Sequence, residues 1–256
     1  MKTRYLFYSM LLVPYLITTA CLAQRSSRWT DYDAITTYGI GMQNVNFNEL
    51  NQALQQAGYN TLPGQLPMVS IASQFSRPNR PMAFHTEIGL SIGSGSTVTN
   101  GTYKARAGFF YAKLGASYRL INSDRFQLGP QLGLISLPFH MRVSQISNTT
   151  PSLNSVLTNP GSAQTASLSS GGLGLDAGVI GNLRIPYRQQ QLDCSTIERS
   201  FVIGLDAGYR LATRAPLNAR EEISASNPGI QLSGWYAGIR LGFSMRVRST
   251  NNPVTY

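Results

Sequence analysis

The sequence predicts an all-β protein, an eight-stranded antiparallel up-and-down transmembrane β-barrel with a short helix in its first loop. Three observations predict this fold class. Apolar and polar residues alternate with period two in eight long segments, as on strands that have one apolar face. Tight turns or long polar loops separate these segments, which is the pattern of barrels that sit in lipid. Charged residues make up only 12% of the chain, against about 25% in soluble domains.

The predicted sheet must close on itself. In lipid every backbone polar group has to be paired, so only helices and closed barrels can cross a membrane. After the N-terminal segment the chain has no apolar run of about 18 residues, the length of a spanning helix. The strands are therefore the elements that would cross.

The clearest of the eight segments is the last, at residues 234–248. Its first face is apolar throughout and carries Trp235, Ala237, Ile239, Leu241, Phe243 and Met245. Its second face combines one charge with small and polar residues, namely Tyr236, Gly238, Arg240, Gly242 and Ser244. A strand with these two faces fits between lipid and a polar barrel interior.

The chain opens with a basic and then apolar segment. Lys2 and Arg4 precede a mostly apolar run, and the small residue Ala23 follows it. This order predicts a secretory signal peptide at residues 1–23 that is cleaved before Gln24. An uncleaved membrane anchor is the alternative, and Pro14 argues against it.

Two cysteines bear on the processing of the chain. Residues 18–21 resemble a bacterial lipobox, with Thr18 where the usual leucine would stand, so lipidation of Cys21 is a second alternative. After cleavage Cys194 is the only cysteine, and it cannot form an internal disulfide. Residues 24–33 are predicted to be a flexible lead and residues 249–256 a C-terminal tail.

Seven strands precede the last one in a barrel domain predicted at residues 34–248. We predict these strands at residues 36–42, 68–75, 82–92, 103–120, from 126 onward, 168–187 and 201–211.

The fifth strand changes phase along its length. Leu134 belongs to an outward apolar set, but further on Leu137, Phe139 and Met141 form the apolar set in the opposite phase. One extra residue produces such a change, so the sequence predicts a β-bulge near residues 135–136.

A short amphipathic helix is predicted between the first two strands, at residues 46–58. Phe47, Leu50 and Leu54 recur at helical spacing. Asn46 is suited to cap the helix and Gly58 to end it. Docking on the barrel rim, service as a small plug and a periplasmic position all stay open for this helix.

Loop lengths orient the barrel. With the N-terminus in the periplasm, the connections after strands two, four and six are expected to be short, and the others long and external. The segment 188–199, read as a connection, is longer than this rule expects. Aromatic residues sort by height, as the girdles of a membrane barrel do. The periplasmic girdle is predicted from Phe75, Phe84, Tyr118, Phe126, Tyr187, Phe201 and Phe243, and the outer ends carry Phe110, Phe139, Tyr209 and Trp235.

The inward faces carry charges of both signs, which we predict to form a charge network in the lumen. Its members are His85, Glu87, Lys113, Arg119, Asp176, Asp206, Arg210 and Arg240. Buried charges need partners, so Asp176 or Asp206 is expected to pair with Arg119, Arg210 or Arg240. Residues 174–178 recur as residues 204–208, which places an Asp on the inward face of two strands.

With this pattern the chain resembles small outer-membrane barrels of the OmpA/OmpX type, and especially the porin-family barrels of Bacteroidetes-like bacteria, whose mature chains often start at Gln. The resemblance covers most of residues 34–248 and is one of pattern. It implies an outer-membrane location in a Gram-negative cell envelope. Two departures stand out: residues 248–256 trail beyond the last strand and include Pro253, and no peptidoglycan-binding domain is present.

Function is predicted less sharply than location. The formal net charge is +10, but the basic residues are scattered, which favours anionic lipid headgroups over nucleic acid as partners. We predict a monomeric, non-enzymatic barrel with no cofactor and no metal, whose role is structural or is surface interaction with an unknown extracellular ligand or protein. The alternatives are a narrow ion or small-solute channel and a lipid-A-modifying enzyme that uses His140 with Ser136 and Arg142.

Overall fold

The computed structural model describes residues 31–78, 80–92, 97–146, 165–192, 195–216, 218–219 and 229–249. The predicted signal peptide, Cys21, Cys194 and nearly all of the predicted C-terminal tail lie outside the described residues.

Eight long strands form a closed antiparallel ring, which confirms the predicted fold class. The strands are β1 (Tyr32–Asn44), β2 (Gln65–Ser76), β3 (Met82–Ser91), β4 (Tyr103–Tyr118), β5 (Phe126–Ser136), β6 (Leu173–Leu192), β7 (Ser195–Ala212) and β8 (Gly234–Ser249). Each strand pairs with the next, and β8 pairs with β1 to close the ring. One end of the barrel carries the long connections and is called the loop end. The other end carries the short connections and is called the turn end.

The sheet continues beyond the ring at the loop end. A short strand, Phe139–Gln145, pairs with the upper half of β4 on one side and with Thr165–Ser170 on the other. Thr97–Thr99 also pairs with β4. Smaller pairs join Ala215–Pro216 to Gly229–Ile230 and Asn218–Ala219 to Thr165–Ser170, and Ile121–Asn122 pairs with β5 at the turn end.

The ring closes with a stagger that fixes which inward side chains share a level. From Asp33, the directly paired residues on successive strands are Ser76, Ala83, Ser117, Gln131, Gly178, Gly208, Tyr236 and Gln43. The path returns to β1 ten residues further along, because 43 minus 33 is 10. A barrel of eight strands with such a stagger is just wide enough for side chains to fill its interior.

The prediction of a long connection at residues 188–199 is wrong. β6 runs on to Leu192 and β7 begins at Ser195, and these two residues pair directly. The side chains of residues 188–192 are exposed. Polar, exposed residues look like a loop in the sequence, but they also suit a hairpin that extends past the apolar belt into water. All the connections at the turn end are therefore short. β1 is also longer than predicted, since it begins at Tyr32.

The β-bulge predicted near residues 135–136 is also wrong. Ala112 pairs with Ser136 and Phe109 with Phe139, so the register with β4 is the same on both sides of the predicted insertion. Odd-numbered residues face inward without interruption from Gln127 to Met141. The side chains change from polar to apolar along this face because the interior itself becomes apolar toward the loop end. Phe139 is 1% exposed and therefore faces the core rather than the lipid.

The helix α1 (Asn48–Gln56) confirms the helix predicted in the first loop. Phe47 and not the predicted Asn46 occupies the N-cap position, although the backbone N–H of Asn48 donates to the side-chain oxygen of Asn46 at 3.0 Å. Gly58 follows the helix end with a φ of 79°, a left-handed conformation that glycine adopts without strain.

The apolar side of α1 closes the loop end of the interior. Phe47, Leu50 and Leu54 are buried, and the ring of Phe47 lies 5.9 Å from that of Phe139. These contacts join the helix to a continuous apolar cluster inside the upper barrel. The helix therefore acts as a cap over the barrel interior.

The outer wall of the barrel is an apolar belt. Exposed aliphatic side chains occur on every strand of the ring except β2, whose outward Val69 and Ile71 are half-buried. The exposed ones include Ile40, Leu90, Leu114, Leu132, Leu134, Leu175, Val179, Leu205, Ile239 and Leu241. Exposed patches larger than a few hundred Å² mark surfaces that another apolar phase covers. A continuous belt around a closed barrel is the surface that lipid covers. Among the described residues no α-helix has the length and apolar character to cross a membrane.

The predicted girdle residues lie on this outer wall. Phe84, Tyr118, Phe126, Tyr187, Tyr209, Trp235 and Phe243 are exposed, and Phe75 and Phe201 are half-buried. Several of them are direct cross-strand partners: Phe75 with Phe84, Phe201 with Phe243, and Tyr209 with Trp235. The first two pairs are near the turn end and the third is near the loop end, so their heights are those of two interface girdles.

Replacing Ile239 with arginine tests the belt. Ile239 is 51% exposed at the middle of β8, where a charge facing the bilayer midplane costs about 2–4 kcal/mol. We expect the free energy of unfolding in phosphatidylcholine vesicles, measured by urea titration, to fall by that amount. The control is Gln190→Arg, an exposed position below the belt, for which a change within about 0.5 kcal/mol is expected. Equal and small effects at both positions would exclude a lipid-covered belt.

Candidate functional site in the barrel interior

The barrel interior divides into three layers along its axis. The apolar cluster beneath α1 fills the loop end. A central cluster of six charged side chains lies below it: Glu87, Lys113, Asp176, Asp206, Arg210 and Arg240. A turn-end cluster of four charged side chains follows: Asp33, Arg119, Arg184 and Arg246. Every member of both charged clusters is at most 5% exposed.

Bridging cations hold the central cluster together. Lys113 Nζ lies 3.0 Å from Glu87 Oε2 and 3.2 Å from Asp176 Oδ1. Arg240 Nη2 lies 2.9 Å from Glu87 Oε2 and 2.6 Å from Asp206 Oδ2. Each cation therefore joins two carboxylates from different strands, which ties distant parts of the ring to one another.

Arg210 completes the cluster through both charge and aromatic contacts. Its Nε donates to Asp176 Oδ2 at 3.3 Å, and its guanidinium carbon lies 4.0 Å from the centroid of Tyr111 and 4.3 Å from that of Tyr236. The two hydroxyls donate to the carboxylates: Tyr111 to Glu87 at 2.7 Å and Tyr236 to Asp176 at 3.1 Å. Gly89, directly opposite Tyr111, leaves room for this ring, because a Cβ at position 89 would collide with it.

The central cluster balances its charge within itself. It holds three carboxylates and three cations, and among their fully buried nitrogen and oxygen atoms Arg210 Nη2 alone lacks a hydrogen-bond partner in the described residues. A buried ion pair is stable only when its remaining hydrogen-bonding capacity is also satisfied. The central cluster meets this condition nearly completely.

The repeated motif at residues 174–178 and 204–208 produces two ion pairs of the same residue types in different registers. Asp176 lies directly opposite Arg210, whereas Asp206 lies opposite Gly238 and contacts Arg240 diagonally. Asp176 pairs with Arg210 on the next strand, and Asp206 pairs with Arg240 on the strand after that. Both pairs join residues 34 positions apart. The repeat is therefore two successive strands meeting the same inward packing requirement.

The turn-end cluster is built differently, around a single buried carboxylate. Asp33 Oδ2 lies 2.6 Å from Arg184, 3.6 Å from Arg119 and 3.8 Å from Arg246. Gln127 accepts a second hydrogen bond from Arg184 at 3.0 Å. Arg119 therefore lies beside Asp33, and not beside Asp176 or Asp206, the partners predicted from the sequence.

Sequence reasoning missed Asp33, Arg184 and Arg246. Asp33 fell in the predicted flexible lead, although alternation from Ile35 and Thr37 places it on the inward face of β1. Arg184 shares the inward phase of Asp176, and Arg246 that of Arg240. The signal was therefore present, and the alternation only had to be followed to the strand ends.

An exposed carboxylate closes the turn end. Asp124, in the turn after β4, accepts hydrogen bonds from Arg246 Nη1 at 2.8 Å and from Arg248. The hydrogen bond from Arg248 is the main reason that the pKa of Asp124 lies below its ordinary value of 3.8. Arg246 contacts both Asp124 and Asp33, so it connects the rim to the buried cluster.

This contact predicts a pH dependence. A lowered pKa in the folded state means that Asp124 contributes stability above its ordinary value of 3.8, and that this contribution is lost as the pH falls through the folded pKa. The side chain is 69% exposed, so the effect is expected to be small. We expect Asp124→Asn to lower the unfolding midpoint at pH 7 and to match the wild type at about pH 2. A difference that persists unchanged in acid would assign the effect to packing instead.

The two histidines occupy different surroundings. His85 is buried against Gly115, and neither of its ring nitrogens has a hydrogen-bond partner among the described residues. His140 faces outward at the loop end, opposite Gly108 on one side and Ser169 on the other. Ser136 and Arg142 share its face. Within the described parts of the chain, no three His, Cys, Asp or Glu side chains converge in a way that could hold a metal ion.

The chain matches no protein-family model and no curated protein sequence. Among solved structures it is similar to a major outer membrane protein from Thermus thermophilus, with 14% identity and a TM-score of 0.40 over 83% of this chain and 98% of that chain. It is also similar to Ail, the attachment invasion locus protein of Yersinia pestis, in complex with the heparin analogue sucrose octasulfate, with 12% identity and a TM-score of 0.41 over 84% and 99%. A third similar structure is the outer membrane protein OprG from Pseudomonas aeruginosa, with 9% identity and a TM-score of 0.41 over 85% of this chain and 95% of that chain.

Similarity at this level adds no weight to the evidence of the ring itself. Eight strands close without an edge, their outward side chains form an apolar belt, and their inward side chains pair their charges. With these features the chain is a closed eight-stranded antiparallel β-barrel with a lipid-facing outer wall.

Proposed function

We propose that the protein is a monomeric, non-enzymatic and non-conducting barrel of the Gram-negative outer membrane, with a structural or surface-interaction role at its loop end. The filled interior is the observation that carries this proposal. A solute moving along the axis would have to displace the apolar cluster under α1 and then break buried ion pairs of the central cluster. Side chains that fill an eight-stranded barrel in this way leave no ready path for ions.

The exposed face of the loop-end sheet supports an anionic partner. Lys104, Arg106, His140 and Arg142 all point outward there, and Arg106 lies directly opposite Arg142. Like charges in that arrangement are destabilising, and a bound anion relieves the repulsion. We call these four residues the basic face.

The position of the basic face favours lipid phosphates as the anions. On β4 the outward residues run from Tyr118 through Leu114 to Phe110, which belong to the belt, and then to Arg106 and Lys104. The charges therefore follow directly above the apolar belt, at the height where lipid headgroups begin. Basic residues at that height attract anionic lipid. Outer-membrane lipid is thus the partner that we propose for this face.

Planar bilayers test the proposed lack of conduction. The purified protein, first shown to be folded by its shift in electrophoretic mobility on boiling, is added to bilayers in which a general porin gives clear steps. We expect no conductance steps from this protein. Reproducible steps that disappear when the protein is boiled beforehand would support the channel alternative.

Stability measurements in defined lipid test the basic face. The variant Lys104→Gln/Arg106→Gln/Arg142→Gln is compared with the wild type in phosphatidylcholine vesicles with and without lipopolysaccharide. We expect lipopolysaccharide to raise the unfolding midpoint of the wild type and to have little effect on the variant. The control, Arg80→Gln/Arg188→Gln/Arg199→Gln, removes three exposed charges at the turn end and is expected to behave as the wild type. Equal responses of the two triple variants would exclude the basic face.

The enzyme alternative depends on His140, which lies at headgroup height on the basic face. Lipid A is extracted from cells with and without the protein and analysed by mass spectrometry. We expect identical acyl chain patterns. Loss of acyl chains that is abolished by His140→Ala would show that the barrel is an enzyme.

A further inference from the structure

The turn-end cluster carries more positive than negative charge. Asp33 is its single buried carboxylate, against the three guanidinium groups of Arg119, Arg184 and Arg246. Counting the rim pair of Asp124 and Arg248 and the half-buried Glu198, which lies directly opposite Arg246, still leaves three carboxylates for four guanidinium groups. An uncompensated buried charge costs on the order of several kcal/mol.

Arg119 is the clearest sign that a partner is required. Its side chain is 3% exposed, and none of its three nitrogens has a hydrogen-bond partner among the described residues. The nearest carboxylate oxygen, on Asp33, lies 3.6 Å from Nη1, which is longer than a hydrogen bond. A guanidinium has five donors in a planar fork that suits the paired oxygens of an oxyanion.

Two serine hydroxyls add unsatisfied groups beside this guanidinium. Ser117 lies on the inward face of β4, two residues before Arg119, which follows directly after the end of that strand. Ser76 on β2 is the direct partner of Asp33 on β1. The same row of direct partners continues through Ala83 on β3 to Ser117 on β4. Neither hydroxyl has a hydrogen-bond partner among the described residues. The two serines therefore belong to the directly paired row that starts at Asp33, and Arg119 follows two residues after the last member of that row.

The central cluster supplies the comparison within the same barrel. There six charged groups balance to zero, and one nitrogen lacks a partner in the described structure. The turn-end cluster leaves Asp33 Oδ1, Arg184 Nε, Arg246 Nε and all of Arg119 without one. Among the described residues, the buried charges of the central cluster are therefore almost fully paired by side chains of the protein. Those of the turn-end cluster are not.

We propose that the turn-end cluster binds a phosphate-type oxyanion, held by Arg119, Arg184, Arg246 and Ser117. A phosphate supplies the negative charge and the several acceptor oxygens that these donors lack. Monohydrogen phosphate also has one hydroxyl donor, which Asp33 Oδ1 can accept, whereas sulfate has none. The site therefore prefers phosphate to sulfate. Arg246, which contacts Asp124 at the rim and Asp33 inside, provides a charged route inward.

Unfolding of the full chain in phosphatidylcholine vesicles tests the proposal. Inorganic phosphate is titrated into phosphate-free buffer, with sulfate and chloride at equal ionic strength as comparisons. We expect a saturable rise of the unfolding midpoint with phosphate, as a ligand that binds only the folded state produces, and a smaller rise with sulfate. A second arm replaces free phosphate with vesicles that contain phosphatidic acid, and a response in that arm alone would identify a lipid phosphate as the source.

Arg119→Gln is the decisive variant, because the proposal makes an unusual prediction for it. Removal of a buried guanidinium that makes no hydrogen bond should leave the protein at least as stable as the wild type without phosphate, so failure to fold is not expected. With phosphate, we expect the apparent Kd to rise about tenfold or more. The control, Arg199→Gln, removes an exposed turn-end charge on β7 and should keep the wild-type response. Equal responses of wild type and Arg119→Gln to every salt and to both vesicle types would overturn the proposal.

Discussion

Replacing Arg240 with methionine is expected to lower the free energy of unfolding by about 3–5 kcal/mol. Arg240 is 4% exposed and bridges Glu87 and Asp206 at 2.9 and 2.6 Å. Methionine fills much of the same volume but leaves Asp206 as a buried carboxylate without its cation. The cost is therefore that of an uncompensated charge, and it is measured by urea unfolding in phosphatidylcholine vesicles.

An exposed ion pair in the same chain provides the matched control. Arg214 lies 2.6 Å from Glu49, with side chains 63% and 48% exposed. Exposed pairs contribute about 0–1 kcal/mol, so Arg214→Met is expected to cost no more than that.

A second variant separates charge from packing. If Arg240→Met loses stability because Asp206 is left without its cation, then adding Asp206→Asn to that variant should recover part of the free energy of unfolding. If the double variant is no more stable than Arg240→Met, lost packing dominates and the central cluster contributes little through charge.

Replacing Phe139 with alanine is expected to cost about 3–5 kcal/mol, the usual range for a buried phenylalanine. The ring is 1% exposed and lies 5.9 Å from Phe47, so its removal leaves a cavity between α1 and the barrel wall. The same unfolding measurement applies.

The neighbouring residue distinguishes the two possible phases of this strand. His140 faces outward, so His140→Ala is expected to change stability by no more than about 0.5 kcal/mol. A bulge before Phe139 would reverse the order of the two effects. A larger cost for His140→Ala than for Phe139→Ala would therefore show that the inward phase described above is incorrect.

Two sequence predictions failed for one physical reason. The sequence predicts Leu137, Phe139 and Met141 on the lipid face because they are apolar, and it predicts a connection at residues 188–199 because they are polar. Both inferences assume that apolar side chains face the lipid and that polar side chains lie in loops or in the barrel interior. In the folded chain the upper interior is itself apolar under α1, and the β6–β7 hairpin extends beyond the belt.

Other predictions succeeded because they rest on local geometry. The eight ring strands and α1 appear where periodicity placed them, with displaced ends. The predicted fifth strand ends earlier in the ring and the predicted sixth begins later, because Phe139–Gln145 and Thr165–Ser170 are separate strands that pair with each other at the loop end. Asp176, Asp206, Arg210 and Arg240 are all found on inward faces. Alternation between faces is a property of each strand alone, so it does not depend on which strands are neighbours.

The sequence by itself determined the number of strands in the ring, the two faces of each of them and the presence of the helix, because periods of two and 3.6 residues are local properties of the backbone. The tertiary structure decided which inward charges meet. Asp176 pairs with Arg210 and Lys113, whereas Arg119 pairs with Asp33. Those partners are set by the ten-residue stagger with which the ring closes, and closure depends on all eight strands at once.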